Sequence, residues 1–164
     1  MILKKIEERA EEVLEYLGIK DIPVPIEEIA AKYNIKIGRA PSDDFSGLFI
    51  RKDGYSLIGI NNKEPLARQR FTIAHELGHY FLHPNKNTFI DYRDNKTGIE
   101  RTPKEVQANM FAAALLMPRK KLEKDFMGIA RNGFHEDHLL SLAQKYNVSK
   151  DAMQIRLINL RLFS

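Results

Sequence analysis

The stretch Arg68-Gln69-Arg70-Phe71-Thr72-Ile73-Ala74-His75-Glu76-Leu77-Gly78-His79-Tyr80-Phe81-Leu82-His83 decides how this chain is read. Ile73, Leu77 and Phe81 recur every four residues, the spacing of one buried helical stripe. The run starts near Pro65 and stops at His83-Pro84, because the residue before a proline avoids the helical region. Inside it, His75-Glu76-Leu77-Gly78-His79 fits the pattern H-E-x-x-H. Positions i and i+4 lie nearly above one another on a helix, so the two imidazoles can reach one ion. Zinc suits neutral imidazole at about 2.0–2.1 Å. Glu76, next to the first histidine, is placed to take a proton from a water whose pKa the metal lowers to about 7. Three fixed positions also match by chance on surface helices. Against chance stand the position in mid-helix and the crowding of His75, His79 and His83, three of the five histidines, into nine residues.

A catalytic zinc ordinarily has three protein ligands and one open position. The chain has no cysteine, so the third ligand must be a histidine or a carboxylate. Glu105 lies 26 residues beyond His79, on the next predicted helix, and Asn109 follows four residues later on the same face. An amide there can accept a hydrogen bond from the far N–H of a ligating histidine. Thr102-Pro103-Lys104-Glu105 fits a helix capping box equally well, and in that box the glutamate folds back on its own backbone. Glu100, Asp91 and Asp94 are further carboxylates in range. Spacing alone leaves the third ligand open.

The remainder of the chain supplies a scaffold. Its 164 residues suit one domain, with residues 1–62 as N-terminal helices and sheet, 63–118 as the metal-site core and 119–164 as a C-terminal helical unit. Helical spacing runs from Ile2 to Leu17 and stops at Gly18. A turn at Pro23 and Pro25 and a second short helix through Ile26, Ile29, Ala30 and Tyr33 come next. Residues 35–37 read as a brief strand, and 48–51 and 55–60 as two strands joined at Asp53-Gly54, a hairpin signal. Another strand is expected at 88–92 and a polar loop at 94–102. A helix opens at Thr102-Pro103 and closes at Met117-Pro118, and further helices follow with breaks at Gly128 and Gly133. The fold class is α+β, with a small, mostly antiparallel sheet against the H-E-x-x-H helix and a C-terminal pair of helices like a helix-turn-helix. Phe111-Ala112-Ala113-Ala114-Leu115-Leu116 is far short of the roughly 18 apolar residues of a membrane span, and its alanines suit close packing against the motif helix. No membrane association is expected. The charged start, Met1 to Ala10, lacks the apolar stretch of a secretory signal, and the absence of cysteine removes disulfides. A cytoplasmic location is therefore expected. The formal net charge is +4 and the pI near 9.2, with 22 acidic residues interspersed among 26 basic ones, too mild an excess to assign a nucleic-acid partner.

Two blocks give the chain a resemblance. The quoted stretch, residues 68–83, is similar to the ImmA/IrrE metallopeptidase family, and so is Glu105-Val106-Gln107-Ala108-Asn109-Met110-Phe111-Ala112-Ala113-Ala114-Leu115-Leu116-Met117-Pro118, in the same order. Ser46-Gly47-Leu48-Phe49, Ile58-Gly59-Ile60-Asn61 and Pro23-Val24-Pro25-Ile26 extend it over most of the chain. The resemblance implies a gluzincin-like zinc site with His75 and His79 as ligands, Glu76 as general base and Glu105 as third ligand. Where many relatives carry a glutamate directly before the Ala-Asn pair, this sequence has Gln107, a poorer ligand. The pattern Glu105-x-x-x-Asn109 also resembles the Glu-x-x-x-Asp of thermolysin-like enzymes, whose last residue braces a zinc histidine. Manganese is the alternative metal, since ligand type separates the two poorly. The implied substrate is a protein, a helix-turn-helix repressor of mobile elements or stress genes.

Several residues around the motif are secondary candidates. His83 shares the histidine stripe and would brace the site or orient substrate, with capping of the helix end as the plainer role. Tyr80 and Tyr92 are candidate donors to an oxyanion, although packing suits both. Arg93 could meet a substrate carboxylate. Gly47 would let a substrate approach residues 48–51 if that strand were a sheet edge offering main-chain hydrogen bonds; an ordinary hairpin strand is the alternative. At the C-terminus, Leu142-Ala143-Gln144-Lys145-Tyr146-Asn147-Val148-Ser149 resembles the first part of a helix-turn-helix, with Lys145, Lys150, Arg156 and Arg161 nearby. It supports a competing function, a DNA-binding regulator whose metal is structural or sensory. A helical hairpin closing the core through Ala143, Ile155, Leu157 and Leu160 is the favoured account. A third reading, an inactive metal-binding adaptor, has no use for Glu76.

Overall fold

The computed structural model describes residues 1–92 and 102–163. Its elements in chain order are α1 (Ile2–Tyr16), α2 (Ile26–Lys32), β1 (Ile35–Ala40), β2 (Phe45–Lys52), β3 (Tyr55–Asn61), α3 (Leu66–Leu82), β4 (Thr88–Tyr92), α4 (Pro103–Leu116), α5 (Arg119–Ile129), α6 (Glu136–Tyr146) and α7 (Lys150–Asn159). The α+β class and the element boundaries around the motif are those expected. The strand order is β1-β3-β2-β4, with β2 antiparallel to both neighbours and β1 parallel to β3. The β2–β3 turn is made by Asp53 and Gly54, both at positive φ (51° and 79°), as a tight primed hairpin turn requires.

The sheet lies on one side of α3 and α4 on the other, with α1 packed outside α4. Residues 72–79 of α3 are therefore buried all round, not amphipathic. Two glycines set the closest approaches. A Cβ on Gly47 of β2 would stand 2.4 Å from Thr72 Cγ2 of α3, and one on Gly78 would stand 3.0 Å from the Cα and O of Ala108 on α4. The small residues of α4 thus bring the two helices together, as the alanine run suggested.

Several expectations change. Strand β2 is paired on both sides, so residues 48–51 are no sheet edge and Gly47 serves the packing of sheet on helix rather than substrate approach. Among the described residues the outer strands are β1 and β4. Gly128 does not break a helix; it lies in the last turn of α5. Ile155 is 58% exposed and forms no part of the core, while Ala143, Leu157 and Leu160 are buried. No helix among the described residues is long and apolar enough to cross a membrane.

At the C-terminus, α6 ends on Asn147 in the left-handed conformation and α7 starts on Ser149, whose hydroxyl accepts from the Ala152 N–H. The nearby cations are largely engaged. Arg156 is buried, donates to both carboxylate oxygens of Glu7 and to the Met117 carbonyl, and so ties α7 to α1 and to the end of α4. Lys145 pairs with Asp125 and Lys150 with Glu136. This is the arrangement of a core-closing hairpin. Arg156 is no groove contact, because its guanidinium is fully used inside the protein.

Candidate metal centre

Three side chains converge where α3 meets α4. His75 Nε2 lies 2.9 Å from Glu105 Oε2, His79 Nε2 lies 3.2 Å from Glu105 Oε1, and the two Nε2 atoms are 3.2 Å apart. A tetrahedral zinc with bonds of about 2.0–2.1 Å separates its ligand atoms by about 3.3 Å, so the spacing fits one small cation. The helix-capping alternative for Glu105 is half made. Thr102 Oγ1 accepts from the Glu105 N–H at 3.3 Å, but the Glu105 carboxylate turns to the histidines. One residue therefore serves both: its backbone starts α4 and its side chain completes the trio.

The hydrogen bonds on the far sides of the rings decide which nitrogen is free. Asn109 Oδ1 lies 2.7 Å from His75 Nδ1 and can only accept, so Nδ1 carries a proton and Nε2 is the nitrogen turned inward. Asn109 thus stands where it was expected. His79 is held by two contacts, one of which, to Phe89, spacing did not disclose, while His83 takes the bracing place its stripe allowed. The His79 ring stacks on Phe89 of β4 at 3.7 Å between centroids and 12° between planes, and its Nδ1 lies 2.9 Å from His83 Nδ1.

Glu76 fits the role of base by position and environment. It is fully buried, and among the described residues neither carboxylate oxygen has a hydrogen-bond partner. A buried, unpartnered carboxylate is costly unless it faces a charge or a reactant. Burial pushes its pKa up to about 8, against a smaller opposing pull from His75. Burial also lowers His79, to about 4, so its ring is neutral near pH 7. For His75 burial acts downward, but the bond to Glu105 and the charges of Glu76 and Asp91 outweigh it and raise the pKa to about 9. Glu105 is desolvated too, yet the bonds from His75 and His79 hold it well below the usual carboxylate range. In the metal-free chain a proton on His75 thus bridges to Glu105, in the place a cation would take. Two imidazoles, one carboxylate and, beside them, the buried carboxylate of Glu76 form a donor set suited to zinc once the proton on His75 is displaced.

Asp91 forms a second possible trio with His75 and Glu76, the ligand atoms all within 4.8 Å of one another. Both trios use His75, whose Nδ1 is already held by Asn109, so they cannot both be filled through it. The trio with two histidines suits zinc better, because the other offers one nitrogen and two carboxylates. Asp91 is desolvated, which raises its pKa, and lines the same space beside Glu76.

The remaining candidates separate cleanly. Tyr80 belongs to an aromatic cluster with Tyr33, Phe49 and Phe81, with the Arg51 guanidinium over its ring, and packs there rather than facing the histidines. Tyr92 is 57% exposed and, by strand alternation, lies on the face of β4 opposite Asp91. Arg93, Asp94 and Glu100 lie outside the described residues. The cap on the end of α3 comes from Arg51, which donates to the carbonyls of Tyr80 and Pro84. His83 instead turns its ring to His79 and to Gln107. Phe89 and Gln107 are the residues whose place in the site the sequence reading missed. Phe89 gave a usable signal: it falls at the inward-facing position two before Asp91 in a strand next to the motif helix.

Residues 30–158 match the family described as the IrrE N-terminal-like domain. The chain is 37% identical to the metallopeptidase ImmA of Bacillus subtilis strain 168 over 108 residues, which is 66% of this chain and 59% of that protein. It is 39% identical to the radiation response metalloprotease IrrE of Deinococcus radiodurans over 66 residues, 39% of this chain and 20% of that protein. It is also 41% identical to the uncharacterized immunity region protein 2 of Bacillus phage phi105 over 61 residues, 37% of each. The chain therefore spans about three fifths or less of the length of these relatives.

Proposed function

This chain belongs to the IrrE N-terminal-like family, and from that premise we propose that it is a zinc-dependent endopeptidase that cuts a helix-turn-helix transcriptional repressor at a specific site in the cytoplasm. The observation that carries the reading is the convergence of His75, His79 and Glu105 beside the buried, unpartnered carboxylate of Glu76. His75, His79 and Glu105 would hold the metal. Bound there, zinc would supply Lewis-acid polarisation of the scissile carbonyl and acidify a water. Glu76 takes the proton of the attacking water and passes it to the leaving amine. Its burial beside the trio leaves the carboxylate no solvent to compete for the proton it takes and gives back. Asn109 orients His75 through Nδ1. The repressor substrate is supported by the family resemblance and by the phage immunity region named for one relative.

The test is a zinc titration of metal-stripped protein followed by incubation with a purified helix-turn-helix repressor, with the new termini read by mass spectrometry. Wild type is expected to take one zinc and to produce one cut. Glu76→Gln should keep the zinc and lose the cut, His79→Ala should lose both, and Glu105→Ala should bind zinc far more weakly. Undiminished cleavage by zinc-loaded Glu76→Gln would overturn the mechanism.

A further inference from the structure

His79 is the inner of the two metal-facing histidines, and it is braced differently from His75. The outer nitrogen of His75 meets an amide oxygen directly, at 2.7 Å from Asn109. The outer nitrogen of His79 meets another histidine, His83, at 2.9 Å, and His83 Nε2 in turn lies 2.9 Å from Gln107 Oε1. His79 and His83 are both buried, 1% and 7% exposed, so water does not stand in for either partner.

Donor and acceptor roles along this row are not independent. The Gln107 amide turns its Oε1 to His83, and that oxygen only accepts, so in this orientation His83 donates from Nε2. With its proton on Nε2, His83 turns the Nδ1 lone pair to His79 and accepts from His79 Nδ1–H. That leaves His79 Nε2 without a proton and aimed at Glu105 and His75. Had the row begun with a donor in place of Gln107, every role would reverse, and His79 would carry its proton on Nε2, where a metal must bind. We propose that Gln107 and His83 are positioning residues that fix His79 in its metal-accepting tautomer, with Gln107 setting the direction of the whole row.

The glutamine also explains why this position need not be a ligand. Its amide is neutral and accepts one hydrogen bond, which orders the His83 ring. Helix α4 thus supplies the third ligand, Glu105, and the amide ends of both braces, Gln107 and Asn109. The inference rests on the metal-centre reading of the proposed function, and its primary readout does not need a metal.

The experiment uses histidine-15N-labelled, metal-free protein of residues 1–164 at pH 7.5, with long-range 1H–15N correlation to report which nitrogen of His79 is protonated. Zinc affinity is measured in parallel by competition with a chromophoric chelator. Wild type is expected to show the proton on Nδ1. Gln107→Met, which keeps size but offers no comparable acceptor, should mix the tautomers and weaken zinc about tenfold, the lower range for removal of a ligand's supporting bond. Gln107→Lys, a pure donor, should move the proton to Nε2, a reversal that a merely structural role would not produce. His83→Phe keeps a ring against Phe89 and should mix the tautomers as Gln107→Met does. A His79 tautomer unchanged in Gln107→Met and Gln107→Lys would overturn the proposal, and so would a changed tautomer with unchanged zinc affinity. If wild type takes no zinc, the peptidase reading fails, and the tautomers of the metal-free variants still decide the row.

Discussion

Replacing Gly78 by alanine tests whether the contact between α3 and α4 sets the geometry of the metal centre. A Cβ at Gly78 would stand 3.0 Å from both the Cα and the carbonyl oxygen of Ala108 and 3.3 Å from its Cβ. Relaxed contacts between carbons lie at about 3.5–4.0 Å. Two of the three neighbours are backbone atoms that cannot rotate aside, so the helices must separate by roughly 0.5 Å to restore that distance. Overpacking of this kind typically costs about 1–3 kcal/mol. Alanine in a helix interior returns about 1 kcal/mol relative to glycine. The net expectation is a loss of about 1 kcal/mol, or a melting temperature lower by about 2–4 °C for a chain of this size. Gly128→Ala is the matched control. It lies in the last turn of α5 with nothing within 4 Å of the added carbon, so only the helix gain remains and the melting temperature should rise. The effect on the site is sharper than the effect on stability. Glu105 precedes Ala108 by three residues on α4, while metal–ligand distances hold to about 0.2 Å. Gly78→Ala should therefore weaken zinc binding and Gly128→Ala should not. Thermal melts of the metal-free proteins and chelator competition read the two effects separately. A Gly78→Ala protein with wild-type zinc affinity would refute the reasoning, even if its melting temperature fell.

Three further outcomes follow from the electrostatics. Metal-free His75, with a pKa near 9 against 6.5 unfolded, holds a proton that zinc must displace, so zinc affinity should climb about tenfold per pH unit from roughly 6.5 to 9 and then flatten; a profile flat across that range would contradict it. Glu76 is raised to about 8, so the fold favours its neutral acid, and that stability is full below about 4.5 and lost as pH rises to about 8. Metal-free Glu76→Gln should accordingly melt above wild type at pH 8.5 and level with it at pH 4, and equal melting temperatures at pH 8.5 would count against the burial argument. Arg156→Ala should destabilise by about 3 kcal/mol, since it strands Glu7 and the Met117 carbonyl; a loss under 1 kcal/mol in a denaturant titration would mean the clamp is idle.

Local signals carried much of the architecture. The Asp53-Gly54 turn, the Pro65 start and His83-Pro84 end of α3, and the Thr102 cap of α4 are each decided by two or three neighbouring residues, and each element begins and ends where those residues demand. The order of the strands is decided by no such neighbours. That β4 rather than β1 lies beside β2 depends on packing against α3, and so residues 48–51 read as a possible edge when they are central. At the site, His75, Glu76 and His79 follow from one helical period. Glu105 was ambiguous because a threonine cap and a metal ligand ask for the same residue at the same position; here its N–H meets the Thr102 hydroxyl while its carboxylate turns to His75 and His79. His83 was left between bracing the site and capping the helix for a related reason: a histidine at a helix end caps it by default, but Arg51, distant in sequence, donates to the Tyr80 and Pro84 carbonyls. Only the tertiary structure shows that the imidazole is released for another use.

The burial of Glu76 ties the sheet to the chemistry. A carboxylate without partners is an unstable element of a core, and nothing in the helix alone would keep water from it. The Gly47 backbone closes that side: a Cβ there would meet Thr72 Cγ2 at 2.4 Å and Glu76 Oε1 at 3.6 Å, so any side chain would fill the space the strand itself now seals. The far side belongs to the histidines and Asp91. On the proposed mechanism Glu76 is therefore left to act toward the cation site, in surroundings dry enough to lift its pKa in the metal-free chain. The tight fit of β2 on α3 and the reactivity of the base are one arrangement. A looser contact would let water solvate the carboxylate, return its pKa toward the ordinary range and make it a weaker base for the attacking water.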